Sequence, residues 1–405
     1  MPLLLPFRAY RYHTDINLSA VIMPLENAPQ VINRFEHQHS SSHLMYPDEG
    51  GKSLSAMKWW QKALNEKVVI RDEKAALYIY EQSTPDSSGQ GRSLQRGVIG
   101  MISMEDDKQL LLHEEVILEQ LEQRVRLLDT TGIQSSPTHG FYTLETTLLE
   151  ELMEEALHVH CIVSHEFQGT TYRIGKITDP KKIALFQEVL GAVPAYLADG
   201  HHRYRSSQVL YHRDKSASYH LIYLTNITHN DMSILPTHRL LKNVRDFSLD
   251  RMISALQPYF HCEVCASPEE VVKQLKGRYG FGLIHRNYAL SLTLKAGLSK
   301  HIPWVMDESV KDIATTVLHY YLIEKVFGIS GQAQVQSRLI AYQNDLIDCL
   351  DELNAFKTDY ILLNNGVTAE ELMNATKKGE RMLPKSTCFV PKMVSGHIFG
   401  DIRSL

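Results

Sequence analysis

The order of apolar and polar positions divides the chain into short elements of both kinds. Residues 76–82 (ALYIYEQ) and 97–104 (GVIGMISM) are rich in aromatic and aliphatic side chains and flank a polar stretch, 83–96, dense in Ser, Gly and Pro, so they predict a hairpin with a long loop. From Glu114 the period changes. Leu118, Leu121, Val125 and Leu128 recur at helical spacing and predict a helix over 114–129. Leu144, Leu148, Leu152 and Leu157 mark a second helix in an acidic setting, followed by a strand over 158–164. Asp179-Pro180 is a cap and first-turn pair; Ile183, Phe186, Val189 and Leu190 give the ensuing helix one apolar face, and Gly191 ends it.

The apolar run 193–198 leads into Asp199-Gly200-His201-His202-Arg203 and then a polar helical stretch to about Tyr211, which reads as strand, tight glycine turn and helix start. Residues 219–226 predict another strand, and 250–258 open a new series of alternating helices and strands, placing a domain boundary near Phe247. The last third predicts helices over 313–326, 339–353 and 369–377 and a strand over 360–363, and the chain shows no internal repeat.

Composition narrows the class. With 405 residues, 43% apolar and 22% charged, the chain is an ordinary globular protein of two or three domains. The formal charge of -5 sets aside a general nucleic-acid-coating role. No run reaches the roughly 18 apolar residues a membrane span needs, and the apolar patch at 3–5 is too short for a signal-peptide core, so a cytoplasmic protein is expected. Cys161, Cys262, Cys265, Cys349 and Cys388 are few and odd in number, which predicts free thiols. Histidine, at 20 residues, is enriched and directs attention to metal or phosphate chemistry.

Three segments carry candidate chemistry. In 199–203 a glycine permits close backbone approach, a helix start offers N–H groups, and His201, His202 and Arg203 add donors suited to a phosphate, while Asp199 is placed to hold a metal ion or orient a hydroxyl. A solvated surface turn explains the same residue types. His113-Glu114 precedes an amphipathic helix, where a carboxylate either orients a substrate proton or serves as a first-turn charge. Residues 384–387 (PKST) combine a cation with two hydroxyls, a set that suits an anion and also suits an ordinary loop.

Other patterns are set aside. Gly51-Lys52-Ser53 lacks the first glycine of a P-loop, since Tyr46 occupies its place. Cys262 and Cys265 form a lone C-x-x-C within a strand expected over 261–266, and His158 with His160, or His37, His39 and His43, read more simply as solvated or core histidines than as metal ligands. No G-x-S-x-G elbow is present.

Several separated motifs, taken in order, match one family. The 6–9 segment (PFRA), 78–82 (YIYEQ), His113-Glu114, 198–203 (ADGHHR), 235–239 (LPTHR) and 379–391 with its ERM-x-PKST core resemble the bacterial family catalogued as domain of unknown function 1015. That family is similar to the free serine kinases of the ParB and sulfiredoxin superfamily, which carry a His-Glu pair, a DGHHR segment and a C-terminal Pro-Lys-Thr-Thr.

The resemblance implies an α+β fold with a mixed-sheet ParB/sulfiredoxin-like core over 1–246, an insertion at about 115–190, and a C-terminal α/β domain over 247–405. It implies phosphoryl transfer from ADP or ATP to the hydroxyl of a free amino acid, L-serine above all. In that reading Glu114 and Asp199 are catalytic, with Asp199 also holding Mg2+. Gly200, His201, His202 and Arg203 bind nucleotide phosphates, and Lys385, Ser386 and Thr387 close over substrate, with His113, His238 and Arg239 as additional site residues. The alternative is a nucleotide-binding regulator of the same superfamily, without transfer. Family members commonly have a Pro before the His-Glu pair and a Pro-Pro-Tyr-Asp segment near the N-terminus, whereas this chain has Leu112 in the first place and 21–25 (VIMPL) in the second.

Overall fold

A computed structural model describes residues 3–24, 37–45, 52–85, 91–105, 110–114, 116, 118–275, 277–336 and 338–405. The chain divides into two compact units. The first takes residues 1–112, 116–232 and 391–405, and the second takes 113–115 and 233–390.

The first unit is built on a seven-stranded mixed sheet in the order Tyr196–Asp199, Thr138–Tyr142, Tyr219–Asn226, Arg92–Ser103, Leu77–Pro85, Thr170–Ile177 and Cys161–Phe167. Neighbours run antiparallel except Thr138–Tyr142 and Tyr219–Asn226, which are parallel. The expected hairpin forms, with Tyr78 opposite Ile99 and Glu81 opposite Arg96. Alternation along its strands feeds two cores. Leu77, Ile79 and Val98 pack with Leu149 and Met153 of the helix Leu148–Val159 and with Phe186 and Leu190 of the helix Pro180–Gly191. Tyr78, Tyr80 and Ile99 pack on the other face with Phe7, Met393, Val394 and Ile398. Burial on both faces explains why 77–80 is apolar or aromatic without a polar break.

Several elements follow local rules. Asp179 caps its helix by accepting from the Lys181 N–H at 2.9 Å, with Pro180 in the first turn. Others differ from the sequence pattern. The helix expected from Glu114 begins at Leu118, because the backbone of 113–114 is taken up in an extended bridge to Met382. His158 lies at the end of the helix Leu148–Val159 and His160 caps it, so the two do not share a strand. The region expected as an insertion, 115–190, supplies three strands of the sheet.

The second unit holds a six-stranded antiparallel sheet in the order Phe260–Cys265, Tyr288–Leu294, Gly280–His285, Tyr360–Asn364, His238–Leu241 and Ile340–Gln343. One face packs Leu241, Phe281, Leu283 and Leu292 against Met252, Leu318 and Leu322. The other packs Leu240, Ile284, Ile361 and Leu363 with Val271, Cys349 and Leu353. The single helix expected over 339–353 is a strand, Ile340–Gln343, and a helix, Leu346–Asn354. Asp345 separates them by capping the helix through the N–H groups of Ile347 and Asp348. Over Leu318–Val326 the expected helix is wound as a π-helix behind a short α turn, Ala314–Val317.

The passage between units falls at 232/233 rather than near Phe247, because His238–Leu241 is an inner strand of the second sheet. The last fifteen residues count with the first unit, where Val394–Ser395 pairs with Met23–Pro24 and Gly400–Asp401 with Ile133–Gln134. All five cysteines are free thiols. Among the described residues no helix is long and apolar enough to cross a membrane.

Candidate functional site

In the first unit, the strand Tyr196–Asp199 ends at Gly200, whose φ of 96° is the left-handed turn that launches the helix His201–Arg213. Glycine is needed there for its φ, at which an L side chain is strained, and an added Cβ, 2.7 Å from Arg203 Nη2, would also push the guanidinium aside. Arg203, one turn into the helix, folds back over the glycine so that Nη2 donates to Asp199 Oδ2 at 2.8 Å and Nη1 to Ser136 Oγ at 2.7 Å. Asp199 Oδ1 accepts from Lys392 Nζ at 2.9 Å. Burial opposes ionisation of Asp199, but Lys392 and Arg203 overcome it and hold the carboxyl far below the ordinary range.

Behind this cluster lies a polar interior. His139, paired with Asp199 across the sheet, shares a 2.8 Å hydrogen bond between Nε2 and Thr225 Oγ1. His220 Nδ1 lies 2.7 Å from Ser207 Oγ, and its Nε2 lies 2.7 Å from Thr138 Oγ1. Burial pushes both imidazoles down to about 3, so they are neutral near pH 7. His201 is buried at the helix start and His202 is half-buried beside it.

In the second unit, His113, Glu114, Lys385 and Thr387 come together. Glu114 Oε1 accepts from the Thr387 backbone N–H at 2.8 Å and from its hydroxyl at 2.7 Å, and Oε2 accepts from the Lys385 N–H at 3.1 Å. Since the Thr387 hydroxyl donates to Glu114, it accepts from His113 Nε2 at 2.8 Å, which places the proton of that imidazole on Nε2. Lys385 has φ of 60°, and its carbonyl accepts from Arg239 Nη2 at 3.2 Å. Arg239 is fully buried. It also donates to the Thr237 carbonyl and, at 3.0 Å, to His319 Nε2. Burial lowers the pKa of Arg239, and burial beside Arg239 pushes His238 down to about 4. Ser386 is placed differently from its neighbours: its hydroxyl is buried on the Leu383 carbonyl at 2.7 Å.

The Mg2+ expected at Asp199 can be tested against these donors. Both Asp199 oxygens are already engaged by cations, and among the described residues no group of three or more His, Cys, Asp and Glu gathers to hold a metal ion. The residues do not fit a metal bound by Asp199.

A family model described as "Protein of unknown function (DUF1015)" matches residues 4–317. The chain belongs to the DUF1015 family. The DUF1015 match takes in Glu114, 199–203 and Arg239 and ends ahead of 385–392. Among solved structures, this DUF1015 chain is similar to a conserved hypothetical protein from Pyrococcus furiosus, at 16% identity over 75% of this chain and 95% of the other, with a TM-score of 0.40. It is also similar to a free serine kinase in complex with AMP, at 17% identity over 72% and 87% of the two chains, with a TM-score of 0.39. No curated protein matches it.

Lys392, Ser136 and His139 stand around Asp199 without a motif that marks them as site residues. Lys392 is the lysine of a second Pro-Lys pair, 391–392, one position beyond the C-terminal motif 379–391, and Ser136 and His139 lie in the small-polar run 135–140 (SSPTHG). The pairing of His139 with Asp199 depends on strand order, which no local pattern encodes.

Proposed function

We infer that this chain is a small-molecule kinase, transferring a phosphoryl group from ADP or ATP to the hydroxyl of a free amino acid, with L-serine as the first acceptor to test. Phosphoryl transfer asks chiefly for positioning and charge neutralisation, and the two clusters have the groups for each. In this reading Arg203 and the helix start at Gly200, with His201 and His202, bind donor phosphates. Glu114 orients the acceptor hydroxyl and takes its proton as the serine oxygen bonds to the terminal phosphorus. The bond from that phosphorus to the bridging oxygen breaks, and AMP or ADP leaves with its electron pair. Lys385 and Thr387 frame the acceptor.

The observation that carries this reading is the three-donor contact between Glu114 and the 385–387 backbone and hydroxyl. It supports a common role for two motifs that lie 271 or more positions apart. Either motif alone has an ordinary structural explanation; their direct hydrogen bonding is harder to explain that way.

The test is incubation of the purified chain with Mg2+, ADP or ATP, and a pool of free amino acids, followed by mass spectrometry. Phosphoserine that disappears in Glu114→Gln and Asp199→Asn supports the kinase. Saturable nucleotide binding with no phosphorylated product from any acceptor overturns it in favour of a nucleotide-binding regulator.

A further inference from the structure

Asp199 stands between two cations, with Arg203 Nη2 2.8 Å from Oδ2 and Lys392 Nζ 2.9 Å from Oδ1. The three charges sum to plus one. His139, the nearest imidazole across the strand pair, is neutral and leaves that sum unchanged. The cluster sits at the start of a thirteen-residue helix, whose dipole adds to the positive potential.

This arrangement treats the two ions of the proposed reaction differently. A divalent cation approaching Asp199 meets a carboxylate already compensated on both oxygens and two like charges at hydrogen-bond distance. A phosphate meets two cations whose mutual repulsion Asp199 has already offset. A guanidinium carries five donors, so the contacts with Asp199 and Ser136 do not exhaust Arg203. The side chains of Lys392 and Arg203 are 20% and 16% exposed, so neither is sealed from solvent.

We propose that Lys392 is a phosphate-binding residue of the nucleotide site and that Asp199 is the counter-ion holding Lys392 and Arg203 together, not a metal ligand. A divalent ion then enters on the nucleotide's own phosphates. This rests on the nucleotide reading above and adds to it a residue and a charge logic. It also gives the C-terminal segment a role in binding, since that segment carries Lys392 into the first unit.

Calorimetric titration of the full chain tests the assignment, with ADP and inorganic pyrophosphate in EDTA, and with MgCl2 alone. Wild type binds ADP and pyrophosphate without metal. Lys392→Gln weakens both by about tenfold or more, as expected for loss of a charge-assisted contact, and Lys392→Arg recovers most of the affinity. MgCl2 alone gives no saturable signal with the wild type. Thermal melts establish that each variant is folded, and the wild-type MgCl2 titration needs no variant.

Unchanged ADP affinity in folded Lys392→Gln overturns the proposal, as does saturable Mg2+ binding that Asp199→Asn abolishes. Metal-free pyrophosphate binding through Lys392 with no phosphorylated product removes the kinase and keeps the assignment. Phosphoserine formation with full ADP affinity in Lys392→Gln does the reverse. A wild type that binds neither ligand in EDTA overturns the assignment, and the Mg2+-containing product assay then decides the kinase separately.

Discussion

Glu114 and Thr387 share two hydrogen bonds through one carboxylate oxygen: Oε1 accepts from the Thr387 N–H at 2.8 Å and from its hydroxyl at 2.7 Å. The hydroxyl in turn accepts from His113, so an imidazole, an alcohol and a carboxylate form a short chain of donors and acceptors. Such a chain fixes the direction in which Glu114 presents its charge.

Thr387→Val keeps the backbone bond and the side-chain shape but removes the hydroxyl from this chain. A hydrogen bond to a charged group contributes about 1.5–3 kcal/mol, so phosphoserine formation is expected to fall by roughly 10- to 100-fold. ADP affinity is unchanged, and Thr387→Ser retains most of the rate. Initial rates with ADP affinity measured separately decide it; a wild-type rate in Thr387→Val would remove the hydroxyl from the mechanism.

Gly200→Ala acts on the other cluster. Alanine at φ of 96° carries a cost of about 1–2 kcal/mol, and its methyl would displace the guanidinium from Asp199. We expect a lowered melting temperature together with weaker ADP binding. A variant that melts lower but binds ADP as wild type would limit Gly200 to a backbone role.

Among the described residues Arg239 is the largest fully buried side chain, and it ties Lys385, Thr237 and His319 together. Arg239→Ala strands these acceptors and leaves a cavity, with an expected loss of about 3 kcal/mol in unfolding free energy. Arg239→Lys recovers little of it, because a single ammonium cannot span three acceptors set in a fork. Urea unfolding of the three proteins checks the order, and equal stability of the lysine and wild-type forms would contradict it.

These contacts also show what local pattern can and cannot convey. The 199–203 segment was readable because strand, glycine turn and helix follow one another within a few residues, and each leaves its own mark. The seven-stranded sheet was readable only in pieces. Its hairpin is local, whereas the parallel pairing of Thr138–Tyr142 with Tyr219–Asn226 joins segments far apart in the chain. Glu114 was misplaced in a helix because an acidic residue ahead of an amphipathic run resembles a first-turn charge. Its backbone is in fact held by Met382, a partner that spacing cannot reveal. Ile340–Gln343 merged with the following helix because its apolar positions continue the same period, and only the cap at Asp345 divides them. Lys392 belongs with Asp199 through a chain return that carries no signature beyond a second Pro-Lys.

The histidine enrichment is explained in part by burial and has a consequence in pH. His139, His220 and His397 of the first unit are buried and pushed down to about 3, in each case chiefly by desolvation, against about 6.5 in an unfolded chain. Between those values the unfolded chain binds more protons than the folded one. The stability is therefore fully present above about pH 6.5 and is lost as pH falls through the window toward 3. Each group removes about 1.4 kcal/mol per pH unit once the pH is well below 6.5. Asp199 adds no pH dependence near neutrality: its contribution is fully present there and is lost only as pH falls below the unfolded carboxyl value of about 4. Urea unfolding of the first unit's transition at pH 7.5 and pH 5.5 is expected to show a loss of about 4 kcal/mol at the lower pH. His220→Gln, which can keep a partner for Ser207 or Thr138 but cannot take up a proton, should reduce that loss by about a third. A free energy that stays level between the two pH values would mean that these imidazoles are not held neutral by the fold.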